Sequence, residues 1–312
     1  MAKRSTVLFI LGFLLLGGFG CKPRVEWRQQ TLFVFDTVCD FKFYCTESEF
    51  KAARQSIMAV FQNIQEKFSP EADDVSSPLV LDLFRKSRQA YEDSNRAFDI
   101  TVKPLSRLWG FQHNSNYVPT AAQVQGALKH VGMTKVRDEG TRLVLEPGMG
   151  LDWGGIAKGL AVDLAARAVM ARGFIRGFIN AGGNLYCWGK NPDGGPWKVG
   201  VKHPRRAGLM GVLSLEDMGA ATSGDYQRYF ESGGVRYHHI FDPKTGYPAR
   251  GKQSVTIIGP EAVVCDTLST ALFVSLEPEN ILKKYQGYGA IIVDDKGLVS
   301  FLGKRFPFQP TK

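Results

Sequence analysis

Between residues 31 and 68 the hydrophobic pattern changes period, and that change limits what the chain can build. Residues 31–44 are rich in Phe, Val and Thr and read as strand. Thr46-x-x-Glu49 is then a capping box. After it Phe50, Ala53, Ile57, Phe61, Ile64 and Phe68 recur at helical spacing, until Pro70 ends the run. Ser77-Pro78 opens a second helix and Thr120-x-x-Gln123 caps a third. A fourth helix is expected from Gly155 to about Arg172, with Gly173 at its end. Beyond it come a strand over residues 174–180, two strands within residues 197–215, and a hairpin around Ser232-Gly233-Gly234. A strand over residues 254–258, a helix over residues 266–275 and a last hairpin about Asp295-Lys296-Gly297 complete the series. Strands and helices thus alternate irregularly. This predicts a mixed α/β (α+β) fold, with tightly fused lobes and helices packed on mixed sheets, rather than a doubly wound sheet.

The 312 residues are 44% apolar, enough for a substantial core and against disorder. The formal net charge is +9, or +7 without Lys3 and Arg4, a mild excess that favours anionic ligands or ordinary solubility. The basic residues are scattered and no recognition-helix, zinc-finger or RNP signature occurs, so no nucleic-acid partner is expected.

Lys3 and Arg4 precede an apolar stretch, residues 7–16, too short to span a bilayer. Small residues follow, then Cys21. This resembles a bacterial lipoprotein signal with Cys21 as the lipidated first mature residue, although Gly18 stands where Leu is usual. Residues 1–20 are therefore expected to be a signal peptide, 21–30 a tether, 31–305 the functional domain and 306–312 a tail. The expected location is exported and lipid-anchored at the periplasmic face, with the membrane contacted through the anchor only. Cys39, Cys45, Cys187 and Cys265 form no Cys-x-x-Cys pair, and no essential disulfide is expected.

Three segments could carry chemistry. Asp152-Trp-Gly-Gly-Ile-Ala-Lys158-Gly puts glycines where the chain enters a helix, with Lys158 in the first turn near the anion-favouring end. Its spacing is neither a P-loop nor a dinucleotide fingerprint. In His239-Ile-Phe-Asp-Pro-Lys-Thr-Gly246 a histidine ends a strand before a Pro-Gly turn, placed to act as a general base. His238 and His239 point to opposite faces, so one of them at most can serve. Asp266 and Thr270 are four apart, share a helix face and offer hard oxygens that suit magnesium. Each also has an ordinary reading: a structural turn, a structural histidine, a helix-capping aspartate. Asn180-Ala-Gly-Gly-Asn184 and Thr222-Ser223-Gly224-Asp225-Tyr226 read as further glycine turns.

Taken together and in order, six segments resemble the ApbE family. They are Phe98-Asp99-Ile-Thr-Val-Lys-Pro-Leu, Asp152-x-Gly-Gly-Ile-Ala-Lys-Gly, Asn180-Ala-Gly-Gly-Asn, Thr222-Ser-Gly-Asp-Tyr, His239-Ile-x-Asp-Pro-x-Thr-Gly and Asp266-Thr-x-Ser-Thr. The resemblance extends over nearly all of residues 31–301. It implies an FAD:protein FMN transferase that uses Mg2+, cleaves the FAD diphosphate, passes FMN to a Thr or Ser hydroxyl and releases AMP. The implied acceptor is a protein of an exported, flavin-dependent electron-transfer complex. It further implies that Asp266, Thr270 and the Gly155 carbonyl ligate the metal, and that Ala97, Phe98, Asp99, Asp152, Lys158 and Ile240 contact FAD. His239 would deprotonate the acceptor. Two departures stand out. Ser69-Pro70-Glu71 replaces a Ser-Thr-Tyr whose tyrosine lies against the flavin, and Phe35 replaces a methionine. An FAD pyrophosphatase and a non-catalytic FAD-binding lipoprotein are the rival readings.

Overall fold

The computed structural model describes residues 24–72, 74–111 and 117–311. Cys21 and the expected signal peptide lie outside the described residues. In chain order the elements are β1 (Glu26–Val34), β2 (Thr37–Cys45), α1 (Glu47–Phe68), α2 (Pro78–Asp93), α3 (Lys103–Leu108), α4 (Ala121–Leu128), β3 (Arg137–Asp138) and β4 (Leu143–Val144). Then follow α5 (Ala157–Met170), β5 (Gly177–Ala181), β6 (Asn184–Trp188), β7 (Trp197–Lys202), β8 (Leu209–Leu215) and β9 (Met218–Gly224). The chain continues through β10 (Tyr229–Ser232), β11 (Val235–His238), β12 (Lys252–Gly259), α6 (Ala262–Val274) and α7 (Pro278–Leu282). It finishes with β13 (Gly289–Asp294), β14 (Val299–Gly303) and β15 (Phe308–Pro310).

Eight strands form one sheet in the order β1-β2-β5-β6-β9-β12-β13-β14. The mixed α/β class holds, and within it every neighbouring pair of this sheet is antiparallel. On β2 the residues Cys39, Phe41, Phe43 and Cys45 are all buried, the period-two signature of a strand with one face on a core. α5 and α6 lie on that face, with α1 against α5. The opposite face is covered by a small sheet, β15-β8-β7, through Trp197, Leu213 and Leu215. A third cluster ties α3 and α4 to the β10–β11 side, where the Trp109 indole N–H donates to the Gly246 carbonyl. Cys39, Cys45, Cys187 and Cys265 are buried and unpaired.

Three expectations need correction. The run over residues 31–44 is two strands, because Phe35 and Asp36 both adopt positive φ (57° and 54°) and make a two-residue hairpin turn. The expected tether and tail are partly sheet. Residues 26–30 pair with β2, and β15 pairs with β8. Of residues 222–226 only Asp225 and Tyr226 turn; residues 222–224 end strand β9 and pair with β12, while β6 pairs with β9 earlier, at residues 218–220. Its glycines serve close packing: a Cβ on Gly219 would lie 2.8 Å from the Ala262 amide nitrogen of α6.

Candidate functional site

The site grows from the crossing of α5 and α6. A Cβ on Gly159 would lie 2.5 Å from the Ala262 carbonyl oxygen, so only glycine lets the two first turns approach this closely. Neither helix is capped by its own preceding side chain. Each is capped by the other. The Asp163 carboxylate of α5 accepts the amides of Ala262 and Val263 at 2.9 Å each. The Asp266 carboxylate of α6 accepts the Gly159 amide at 2.9 Å. These amides are among the orphan donors every helix start exposes. α6 therefore begins four residues before the expected start, and Asp266 is a buried residue of its second turn rather than its own helix's cap. Asp163, which sequence reasoning left without a role, is the residue that makes this geometry. An aspartate five residues beyond Lys158 was the available signal. Burial pushes the Asp163 carboxyl up to about 6 against its two amide bonds. Burial likewise raises Asp266, opposed by the Lys158 ammonium and the Gly159 amide.

Ahead of α5 the chain makes a tight corner. Asp152 accepts the Gly154 amide at 2.9 Å, and the Lys158 ammonium donates back to the Gly154 carbonyl at 2.7 Å. Gly155 sits in a narrow slot: a Cβ there would be 3.1 Å from Thr270 Oγ1 and 3.2 Å from the Phe98 ring. Phe98 arrives from a turn in which Asn95 and Arg96 take positive φ (51° and 68°). Asp99 is buried, accepts both the amide and hydroxyl of Thr101, and has its carboxyl raised by that burial.

His238 and His239 do face opposite ways. His238 is 2% exposed. Its Nδ1 accepts the Ile240 amide and its Nε2 donates to the Ala249 carbonyl, so it is a satisfied neutral core histidine. His239 faces the cleft. Its Nδ1 lies 3.2 Å from the Arg228 carbonyl. A carbonyl only accepts, so Nδ1 carries the proton and Nε2 keeps its lone pair. Desolvation, with the positive charges of Arg228 and Lys158, pushes His239 down to about 3 and keeps it neutral.

Ala97, Phe98, Asp99, Asp152, Gly155, Lys158, His239, Ile240, Asp266 and Thr270 all line one cleft of about 1210 Å³. Sequence reasoning did not single out its hydroxyl wall. Ser223 Oγ lies 2.7 Å from Ser269 Oγ and 3.2 Å from Thr270 Oγ1, and Thr222 Oγ1 lies 2.8 Å from Thr256 Oγ1. Among the described residues no three His, Cys, Asp or Glu side chains group together. A cation in this cleft would thus be held by no more than two such side chains, with hydroxyls, carbonyls and ligand oxygens completing a donor set of the kind magnesium takes.

Residues 35–292 match the sequence profile of the ApbE family. The FAD:protein FMN transferase of Haemophilus influenzae is 35% identical over 189 residues, which is 57% of this chain and 55% of that protein. The match thus spans about half of the Haemophilus protein. The FAD:protein FMN transferase of Treponema pallidum is 28% identical, over 93% of this chain and 92% of its own. Among solved structures, the ApbE protein of Thermotoga maritima superposes with a TM-score of 0.82 at 32% identity, covering 89% of this chain and 97% of its own. The apo flavinyl transferase ApbE of Pseudomonas stutzeri gives 0.77 at 28% identity, covering 93% and 95%.

Proposed function

Because the chain belongs to the ApbE family, and the relatives named above are FAD:protein FMN transferases, we propose that it moves FMN from FAD to a protein hydroxyl. The acceptor would be a serine or threonine of an exported electron-transfer protein, and AMP the leaving group. The observation that carries this reading is convergence: ten residues from four separate segments line one cleft. At about 1210 Å³ it exceeds the ~300–1,000 Å³ of pockets for drug-sized ligands, and so admits a dinucleotide.

Asp266, Thr270 and the Gly155 carbonyl would hold a magnesium ion. When bound, that ion would supply Lewis-acid polarisation of the diphosphate and neutralise charge on the leaving phosphate. The chain's own residues do the rest. Lys158 brings a positive charge to the helix end where the diphosphate would lie. Ala97, Phe98, Asp99, Asp152 and Ile240 shape the nucleotide's bed, and the departure Phe35 adds an aromatic face to the same cleft. His239 presents Nε2 as base. The acceptor oxygen bonds to the flavin-side phosphorus and its proton passes to Nε2. The bond from that phosphorus to the bridging oxygen breaks, and its electrons leave with AMP. A bound diphosphate would also offset the positive neighbours that depress His239, making it a better base in the complex.

A second reading shares the site. Ser69, Pro70 and Glu71 line the cleft where a flavin-stacking tyrosine is otherwise expected. Weaker grip on the flavin there favours transfer to water, giving FMN and AMP. The segment before residue 24, with Cys21, supports export and lipid anchoring.

Mature protein, FAD, Mg2+ and a threonine-bearing acceptor, resolved by in-gel flavin fluorescence, test the proposal. Covalent fluorescence on the acceptor that chelator abolishes is the expected result. FMN and AMP without labelled acceptor would support the hydrolase. Intact FAD would leave only binding, and mass spectrometry at Cys21 reports the anchor.

A further inference from the structure

Three hydroxyl groups run in a row from the cleft wall into the core, and the direction of their protons can be worked out. The Ser269 hydroxyl lies 2.8 Å from the Asp266 carbonyl oxygen. A carbonyl cannot donate, so Ser269 spends its one proton there. Ser269 Oγ is also 2.7 Å from Ser223 Oγ. Its proton being committed, Ser223 is the donor of that pair. Ser223 Oγ is in turn 3.2 Å from Thr270 Oγ1. The Ser223 proton is committed to Ser269, so the Thr270 hydroxyl donates to Ser223. The relay runs one way, from Thr270 through Ser223 and Ser269 to the Asp266 carbonyl.

The relay has a chemical effect. Thr270 and Ser223 both line the cleft, and the relay commits the Thr270 proton along the wall to Ser223 of strand β9 rather than to the space in front. The lone pairs of Oγ1 are left for whatever lies in front. A hydroxyl that turned its proton outward would repel a cation, whereas this one can only accept from the front. The support is rigid: Ser223 is 8% and Ser269 1% exposed, and Ser223 is paired with Val255 of β12.

We propose that Ser223 is a positioning residue that fixes Thr270 Oγ1 as an electron-pair donor toward a divalent cation, with Ser269 setting the polarity of the relay. The inference rests on the cation reading given under Proposed function and deepens it. It makes an unusual demand of Ser269, a side chain that does not line the cleft. Removing its hydroxyl frees the Ser223 proton to turn toward Thr270. Thr270 then becomes the acceptor of that pair, and its own proton swings into the cleft.

The test is a titration of the full-length protein with Mn2+ alone, reading the electron paramagnetic resonance signal of the free aquo ion. A thermal melt is taken for every variant. Ser223→Ala and Ser269→Ala should each weaken Mn2+ binding by about tenfold or more, the usual effect of losing a partner that orients a metal ligand. Ser223→Thr, which keeps the hydroxyl, should stay close to the parent. Parent-like binding in Ser269→Ala would overturn the proposal, as would a Ser223→Thr as weak as Ser223→Ala. Should Ser223→Ala fail to fold, the other two variants decide the matter. Asp266→Ala separates the layers. If it removes Mn2+ binding while the serine variants do not, the relay alone is refuted. If Asp266→Ala itself binds Mn2+ like the parent, the cation reading beneath it fails too.

Discussion

Gly159→Ala sets two magnitudes against each other. In a helix, alanine is better than glycine by about 1 kcal/mol, so propensity alone predicts a gain. The crossing predicts the reverse. The new Cβ would stand 2.5 Å from the Ala262 carbonyl oxygen and 2.7 Å from the Val263 Cα, both backbone atoms that cannot rotate away. Ordinary contact needs about 3.5–4 Å, so α6 must retreat by roughly 1 Å. Overpacking of this kind costs about 1–3 kcal/mol. The same retreat stretches the 2.9 Å bond from the Gly159 amide to Asp266, a charged-acceptor bond of about 1.5–3 kcal/mol. The expected net is a loss of roughly 1.5–5 kcal/mol, these two costs less the propensity gain. Urea unfolding followed by far-UV circular dichroism measures it. Gly126→Ala in exposed α4, where an added Cβ meets nothing within 4 Å, is the matched control and should gain up to about 1 kcal/mol. If Gly159→Ala is as stable as the parent, the close crossing and the reasoning built on it are wrong.

Asp163→Ala should cost about 2–4 kcal/mol in the same unfolding assay, since two buried amides of α6 lose their acceptors. A change within about 0.5 kcal/mol, the scale of a plain surface substitution, would contradict its capping role. His238 should make stability fall with acid. Its pKa is pushed down to about 4 from an unfolded value near 6.5, so the unfolded chain takes up the proton first. The contribution is whole above about pH 6.5 and is lost by pH 4, about 3 kcal/mol in all. The raised Asp163 works in the opposite sense but is common to the parent and His238→Asn, so the difference between their pH slopes isolates the histidine. Equal slopes would refute it. His239→Ala should slow transfer by about 10²-fold or more while FAD affinity stays near the parent's, the split expected for a general base. A parallel loss in both would make it a binding residue instead.

Much of this architecture could be read from local chemistry. The capping boxes at Thr46 and Thr120 and the Gly233-Gly234 hairpin are short-range signals, and the structure has them where they were read. What could not be read was long-range. The Phe35-Asp36 turn carries no Gly, Pro or Asn, so a continuous β-forming run concealed it. Gly224 looked like a turn residue, yet it pairs with Ser254 of β12, and it is glycine because a Cβ would lie 2.5 Å from the Tyr226 ring. The start of α6 was misplaced because its cap is a residue 99 positions earlier, on another helix. The candidate site itself was visible as motif order. Its hydroxyl wall was not, because Ser223 and Ser269 are far apart in the chain and meet only when β9 packs on α6.

The exchange of aspartates between α5 and α6 gives the glycine corner an all-or-none character. Neither helix start can fray alone, since the carboxylate that would have to let go belongs to its neighbour. Loosening the anchor of Gly159 frees Asp266, and loosening that of Ala262 and Val263 frees Asp163. A partly opened domain would therefore carry no half-built nucleotide site that could seize a flavin and spill it. Assembly of the pair doubles as the latch that withholds chemistry until the domain is complete.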